Sequence, residues 1–177
     1  MSYCRYCVNL EEGNHHKIYH DNQYGFKIES DNELFGRLIL EINQAGLSWN
    51  TILLKQDNFR KAFDNYDISK IANYGETKIN SLLQDAGIIR NKLKVNAVVY
   101  NAQQILKIQE EFGSFKNWIE FNHPLSKDEW VKLFKKYFKF VGGEIVNEFL
   151  MSTSYLKGAH DENCPIYSKM ILFNLNN

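Results

Sequence analysis

An all-α fold is predicted for this 177-residue chain, as a single helical domain over residues 1–177, and three observations carry the prediction. Only two prolines interrupt the sequence, and polar and apolar residues scarcely alternate, so the period of a half-buried strand is missing. Two capping-box signatures, Ser30 with Glu33 and Ser126 with Glu129, each stand directly before an apolar run with helical spacing.

Ser30 opens a helix whose apolar stripe is Leu34, Phe35, Leu38, Ile39 and Ile42; it runs to about Gln44 and stops near Gly46. A second helix begins around Ser48 with Trp49, Ile52 and Leu53. A third segment, with Phe59, Ala62 and Phe63, takes Asp57 as its candidate cap, and Asp67 caps another short one. Lys78 to Asp85 form a helix, Gly87 breaks it, and a long helix runs from about Asn91 to Glu110, giving helix, tight hairpin, helix. Ser126 and Glu129 start the helix that bears Trp130, Leu133, Phe134 and Tyr137. Gly142-Gly143 precedes a last helix with Ile145, Val146, Phe149 and Leu150. No repeat, low-complexity tract or linker divides the chain.

Composition bounds the function. With 44% apolar and 14% aromatic residues the chain can build a sizeable core. Its 21 basic residues balance 21 acidic ones, so a polyanion partner must be held by a local patch rather than by net charge. There is no apolar run long enough to span a membrane, and the first residues lack the apolar centre of a signal peptide, so an intracellular protein with no membrane partner is expected. Three cysteines, an odd number, argue against a disulfide framework and leave the thiols free as metal ligands.

Cys4 and His20 lie early in the chain, His160 and Cys164 late, and four-coordinate zinc takes this mixture of thiolate and imidazole. One ion shared between them would tie the N-terminus to the C-terminus. Spacing leaves the ligand set open: Cys7, His15 and His16 are further candidates, and Cys4-x2-Cys7 with His160 and Cys164 makes an equally acceptable zinc knuckle. The competing reading makes Cys7 a small buried hydrophobe and the histidines ordinary surface residues. Four protein ligands close the tetrahedron, so such a site is structural rather than hydrolytic. A thiol redox role for Cys4 and Cys7 lacks the preceding strand it requires.

The segment Glu41 to Trp49 carries the chemistry. Placing Leu34 at the origin and turning about 100° per residue, Leu38 falls at about 40° and Glu41 at about −20°, so Glu41 borders the buried face and its carboxylate must find a hydrogen-bonding or cationic partner. The bland alternative is a Glu that reaches solvent. Leu47, between Gly46 and Ser48, sits where an apolar side chain projects from a break between helices, with Trp49 beside it. A wedge, an aromatic ring and a carboxylate suit a flipped base; the alternative makes Leu47 and Trp49 helix-packing residues. At the hairpin, Arg90, Lys92 and Lys94 flank a helix N-terminus that can hold a phosphate, although Gly87 as a simple C-cap explains the turn equally well. Lys132, Lys135, Lys136 and Lys139 form a basic run of the kind that usually marks a solvated helix face.

Six motifs then occur in a set order: Tyr19-His20-Asp21-Asn22-Gln23-Tyr24-Gly25, Leu40-Glu41, Gln44-Ala45-Gly46-Leu47-Ser48-Trp49, Asp85-Ala86-Gly87-Ile88-Ile89-Arg90-Asn91, Phe138-Lys139-Phe140-Val141-Gly142, and His160-x3-Cys164. In this order they resemble the 3-methyladenine DNA glycosylase I family over nearly the whole chain. The resemblance implies a helix-hairpin-helix DNA glycosylase fold whose termini are joined by one structural zinc ion on Cys4, His20, His160 and Cys164, with Cys7 a spectator. It implies Glu41 as the pocket carboxylate, with Tyr19 as its catalytic partner and Tyr19, Trp49, Tyr6 and Tyr24 around the base. It implies DNA contacts at Gln44, Gly46 and the gap-filling Leu47, and at the hairpin residues Gly87, Ile88, Arg90, Asn91 and Lys92. The implied substrate is 3-methyladenine in double-stranded alkylated DNA, and the protein is expected to be a cytoplasmic, nucleoid-associated monomer of bacterial type. Tyr6 and Tyr24 depart from the family, where tryptophan is usual, and Trp130 to Tyr137 replaces a stretch commonly rich in small residues.

An N3-alkylated adenine is cationic, so its glycosidic bond is already weakened and the base leaves without prior protonation. Recognition of charge is the task that remains. A carboxylate about 4 Å from a unit positive charge gains about 4 kcal/mol at an effective dielectric near 20, or roughly a thousandfold in discrimination before desolvation is subtracted. No motif places a lysine as nucleophile, so base release without strand cleavage is expected. The rival reading is a non-catalytic helix-hairpin-helix module that senses alkylated DNA.

Overall fold

The computed structural model describes residues 2–176, and every element in that range is helical. In chain order these are α1 (Tyr3–Cys7), α2 (His15–Asn22), α3 (Asp31–Gln44), α4 (Trp49–Leu53), α5 (Gln56–Ala62), a 3₁₀ turn (Asp64–Tyr66), α6 (Ile68–Ala72), α7 (Glu76–Gln84), α8 (Lys92–Phe112), α9 (Phe115–Asn122), α10 (Lys127–Tyr137), α11 (Gly143–Ser152) and α12 (Pro165–Asn176).

Short polar caps set most of these boundaries. Ser30, Ser48, Asp67, Asn91 and Ser126 each accept a backbone N–H from the first turn of the helix that follows, satisfying a donor the helix cannot. The capping box at Ser126 and Glu129 is complete. At Ser30 only half of it forms: the Glu33 carboxylate instead takes a bidentate pair from Arg60, 2.7 and 2.6 Å away, since a guanidinium fork outcompetes one backbone N–H. Asp57 lies inside α5, whose N-cap Lys55 makes no side-chain cap. The segments α1, α2, α9 and α12 escape the periodicity reading. The first two carry too few apolar residues to show a stripe, α9 is short, and α12 is apolar over most of its length and begins on Pro165, a residue suited to a first helical turn. The last helix is therefore α12, not α11.

α3 is the axis of the molecule. Every residue from Leu34 to Asn43 is buried, so the helix shows no solvent face, and α4, α5, α6, α8, α9 and α11 all pack on it. Glu41 is accordingly interior rather than at the edge of a stripe. The approach of the 3₁₀ turn requires a glycine: a Cβ on Gly36 would stand 2.3 Å from the Tyr66 ring. The main core continues into an aromatic cluster of Phe115, Trp118, Phe134, Phe138 and Phe149, with ring centroids 5.3 to 6.3 Å apart in neighbouring pairs. A smaller cluster of Tyr19, Tyr24, Phe26, Leu53, Ala159 and Met170 joins the two ends of the chain, and Trp49 packs against both clusters.

Candidate active site and metal centre

A cleft of about 420 Å³ opens between the α1–α2 end of the molecule, α3 and α11. Its aromatic walls are Tyr3, Tyr19, Tyr24 and Trp49, and Gln44 and three carboxylates, Glu41, Glu144 and Glu148, complete the lining. Tyr19 and Trp49 meet at 5.2 Å with their planes at 64°, and Tyr19 and Tyr24 at 5.7 Å. Tyr6 is not part of this lining. It is 46% exposed and stacks on the outer side of Tyr3, which takes the place expected for it.

Glu41 is 4% exposed, and among the described residues no group donates a hydrogen bond to its carboxylate. Burial pushes its carboxyl up to about 8; the nearby Arg37 charge opposes that rise and Glu148 adds to it. The Arg37 guanidinium, one helical turn before Glu41, is spent elsewhere: it donates to the Tyr19 hydroxyl and to the Ser152 carbonyl, both at 3.2 Å, and lies 5.0 Å from the centre of the Tyr19 ring. Tyr19 is thereby clamped in place, and burial pushes its phenol further up, so it stays neutral. Arg37 was missed in the sequence, although its i,i+4 spacing to Glu41 was there to be read.

At the end of α3 the chain turns through Gly46, whose φ of +81° suits a residue without a Cβ. The Gln44 amide donates to the Leu47 carbonyl at 2.8 Å and holds the turn closed, leaving the Leu47 side chain 39% exposed beside the half-buried Trp49. Lys94 does not face solvent or phosphate. It is 4% exposed, and its Nζ donates to the carbonyls of Asn43 and Ala45 at 2.8 and 2.6 Å, closing the C-terminus of α3.

Between α7 and α8, the Gly87 N–H donates to Asp85 Oδ1 at 2.7 Å, so an Asx turn rather than a left-handed C-cap makes the bend. Ile88 is 3% exposed and points its side chain into the core, so only its backbone is offered outward. Arg90, Asn91 and Lys92 are exposed around the N-terminus of α8. The later run, Lys132, Lys135, Lys136 and Lys139, is exposed as a solvated face.

Beside the cleft, Cys4, His20, His160 and Cys164 converge, all buried, with ligand atoms within 4.8 Å of one another. Cys4 Sγ is 3.6 Å from His160 Nδ1, and Cys164 Sγ is 3.7 Å from both His20 Nε2 and His160 Nδ1. A tetrahedral zinc with its usual Zn–S and Zn–N bonds needs sulfur–nitrogen edges of about 3.6 Å, so the donor set fits that ion. The outer partners agree: His20 Nδ1 lies 2.6 Å from Asp21 Oδ1 and His160 Nε2 lies 2.7 Å from the Tyr24 carbonyl, which orients each ring toward the centre. Burial pushes the Cys4 thiol up to about 11, and a bound cation is what makes thiolates favourable there. Cys7, fully buried, lies outside the group with its thiol toward the His16 carbonyl at 3.7 Å; His15 and His16 are outside it too, so the knuckle set is not assembled.

Comparison with known proteins agrees with this geometry. A family model described as methyladenine glycosylase matches residues 10–128. DNA-3-methyladenine glycosylase 1 of Escherichia coli (strain K12) is 35% identical over 168 residues, covering 84% of this chain and 89% of that protein. The structure of 3-methyladenine DNA glycosylase I from Staphylococcus aureus, described as the basis of 3-methyladenine recognition, superposes with a TM-score of 0.82 at 28% identity, covering 94% of this chain and 98% of that one. A substituted form of 3-methyladenine DNA glycosylase I in complex with 3-methyladenine gives a TM-score of 0.81 at 27% identity, with the same coverage. In sequence and in fold, the chain belongs to the methyladenine glycosylase family.

Proposed function

We propose that the protein is a DNA glycosylase that flips 3-methyladenine out of alkylated double-stranded DNA and hydrolyses its N-glycosidic bond, leaving the strand intact. The observation that carries this reading is Glu41, buried among aromatic rings without a hydrogen-bond donor. A carboxylate so placed is costly unless an occupant brings positive charge and N–H donors, and an N3-alkylated adenine brings both.

In this mechanism Trp49, Tyr19, Tyr3 and Tyr24 enclose the ring and exclude water, while Glu41 attracts its charge and accepts its donors. As the glycosidic C–N bond breaks, the bonding electron pair passes to the base and neutralises it. Water adds at C1′ and gives up a proton. Protonating the leaving base is unnecessary, so Glu41 acts electrostatically, and Tyr19, oriented by Arg37, acts as wall and hydrogen-bonding partner. Among the described residues no lysine lines the cleft, which supports a route without a Schiff base or strand scission.

Leu47, on the turn shaped by Gln44 and Gly46, fills the gap left by the flipped nucleotide. The α7–α8 hairpin serves as the helix-hairpin-helix anchor, with the backbone at Gly87 and Ile88 and the side chains of Arg90, Asn91 and Lys92 against phosphates. One zinc ion held by Cys4, His20, His160 and Cys164 supplies structure, locking α1 and α2 to the start of α12 so that Tyr3, Tyr19 and Tyr24 keep their places. No helix among the described residues is long and apolar enough to cross a membrane; a cytoplasmic monomer on nucleoid DNA fits this reading.

Incubation with N-methylated duplex DNA, followed by identification of the released base, tests the proposal. Free 3-methyladenine with uncut strands is expected. Tight binding without release would favour the non-catalytic sensor.

A further inference from the structure

The cleft carries more acid than one recognition carboxylate requires. Of its three carboxylates, Glu144 is exposed and paired with Lys127 at 3.2 Å. Glu148, one turn later on α11, makes no ion pair among the described residues, and the Lys127 charge acts on it only weakly. It accepts two hydrogen bonds from neutral groups, the Tyr24 hydroxyl to Oε2 at 3.3 Å and the Asn147 amide to Oε1 at 3.5 Å. Arg37, the buried cation that acts on Glu41, is committed to Tyr19 and Ser152.

Two carboxylates on different helices, α3 and α11, thus line one half-enclosed cavity walled by aromatic rings. Burial raises the Glu148 carboxyl above its ordinary range, and Glu148 in turn adds to the rise that burial imposes on Glu41, so the empty cavity disfavours charge on both. The hydrogen bonds from Tyr24 and Asn147 favour the ionised form of Glu148, but burial outweighs them. A cation in the cavity favours the ionised form of each carboxyl facing it, and both then contribute attraction.

We propose that Glu148 is a second specificity-determining residue, which together with Glu41 brackets the extrahelical base and selects a purine cation over a neutral purine of the same shape. The inference rests on the reading of this cleft as the base pocket. The positive charge of an N-alkylated purine is delocalised over the ring, so carboxylates from two helices recognise charge from two directions. Tyr24 holds Glu148 in position and does so through its hydroxyl. Glu148 is a contact for the base, not a proton donor in bond breaking, so its removal weakens capture of the charged base more than it slows the chemical step.

The test uses the metal-loaded protein, wild type and Glu148→Gln, and two oligonucleotides. One contains 3-methyl-2′-deoxyadenosine, read by single-turnover excision across DNA concentrations. The other contains the uncharged 3-deaza-3-methyl isostere, read by binding. Glu148→Gln is expected to raise the half-saturating concentration on the cationic lesion roughly tenfold while the affinity for the neutral isostere changes less than about twofold. Its thermal midpoint should hold or rise, since burial already disfavours the charged carboxylate there, and Glu148→Asp should keep most of the discrimination. Equal losses on both probes, or a fallen midpoint with Glu148→Asp no better than Glu148→Gln, would make Glu148 a packing residue and overturn the proposal. So would unchanged values on both. If wild-type protein releases no base at all, the functional reading itself fails, and an active wild type with an indifferent Glu148 sinks only the present inference.

Discussion

The ammonium of Lys94 lies 2.6 Å from the carbonyl oxygen of Ala45, inside the protein, so the first turn of α8 clasps the end of the helix that carries Glu41. The two elements read as DNA contacts, the Leu47 turn and the α7–α8 hairpin, are thereby joined by a buried charge on the negative end of the α3 dipole. On the function proposed above, a hairpin bound to DNA would hold Leu47 and Glu41 in one frame.

Lys94→Met keeps the aliphatic stem but orphans the carbonyls of Asn43 and Ala45. It should cost about 2 kcal/mol and lower the thermal midpoint by roughly 4–8 °C. Were Lys94 a phosphate contact instead, the midpoint would stay put and the salt dependence of DNA binding would fall; thermal melts and a salt titration separate the two.

Glu41→Gln retains the shape of the side chain and removes its charge. Excision of 3-methyladenine should fall by about 100- to 1,000-fold, up to the Coulombic attraction lost. Single-turnover kinetics measure this, and a rate within twofold of wild type would take Glu41 out of the mechanism.

The pH dependence follows from the raised Glu41 carboxyl. The free protein holds a proton there below about pH 8, and a cationic base needs the carboxylate, so kcat/KM should climb as pH rises through 8, where it is half-maximal, and level off above about 9. Stability runs the other way. A folded-state pKa raised from 4.5 to about 8 means the native state binds the extra proton, so its contribution is complete below 4.5 and is lost as pH rises through 8. Glu41→Gln should therefore melt higher than wild type at pH 9, by about 2–4 °C for each 1 kcal/mol relieved, and the advantage should vanish at pH 5. Urea titrations at the two pH values check the sign.

Metal removal should act on the fold before the chemistry. Chelation, or Cys164→Ser, is expected to release the ion and lower the melting midpoint, with loss of the tyrosine wall built on α1 and α2. Cys7→Ser should keep one full equivalent of metal, since its thiol faces the His16 carbonyl. Metal analysis with melting curves decides; a Cys7 variant that loses the ion would return the knuckle set to consideration.

Much of the fold was legible because its signals are local. Ser30, Ser48, Asp67, Asn91 and Ser126 satisfy donors within a turn of themselves, and that requirement can be read without knowing what lies across the chain. The weak points had the same origin. Glu33 deserts its box for Arg60, and the polar α2 shows no stripe because its buried faces are His16, Tyr19 and His20, held by rings and the donor cluster rather than by aliphatic packing.

Scarce prolines, capping signals and helical spacing already determined the helical class, and residue type alone supplied the acid at position 41 and a stock of soft ligands at both ends. Which ligands meet, that Lys94 turns inward, that Tyr3 supplants Tyr6, and that Glu148 joins Glu41 in one cavity were decided only by the tertiary structure. These relationships link positions as many as 160 residues apart, from Cys4 to Cys164, and arise from how α1, α3, α8, α11 and α12 pack, which no local pattern encodes.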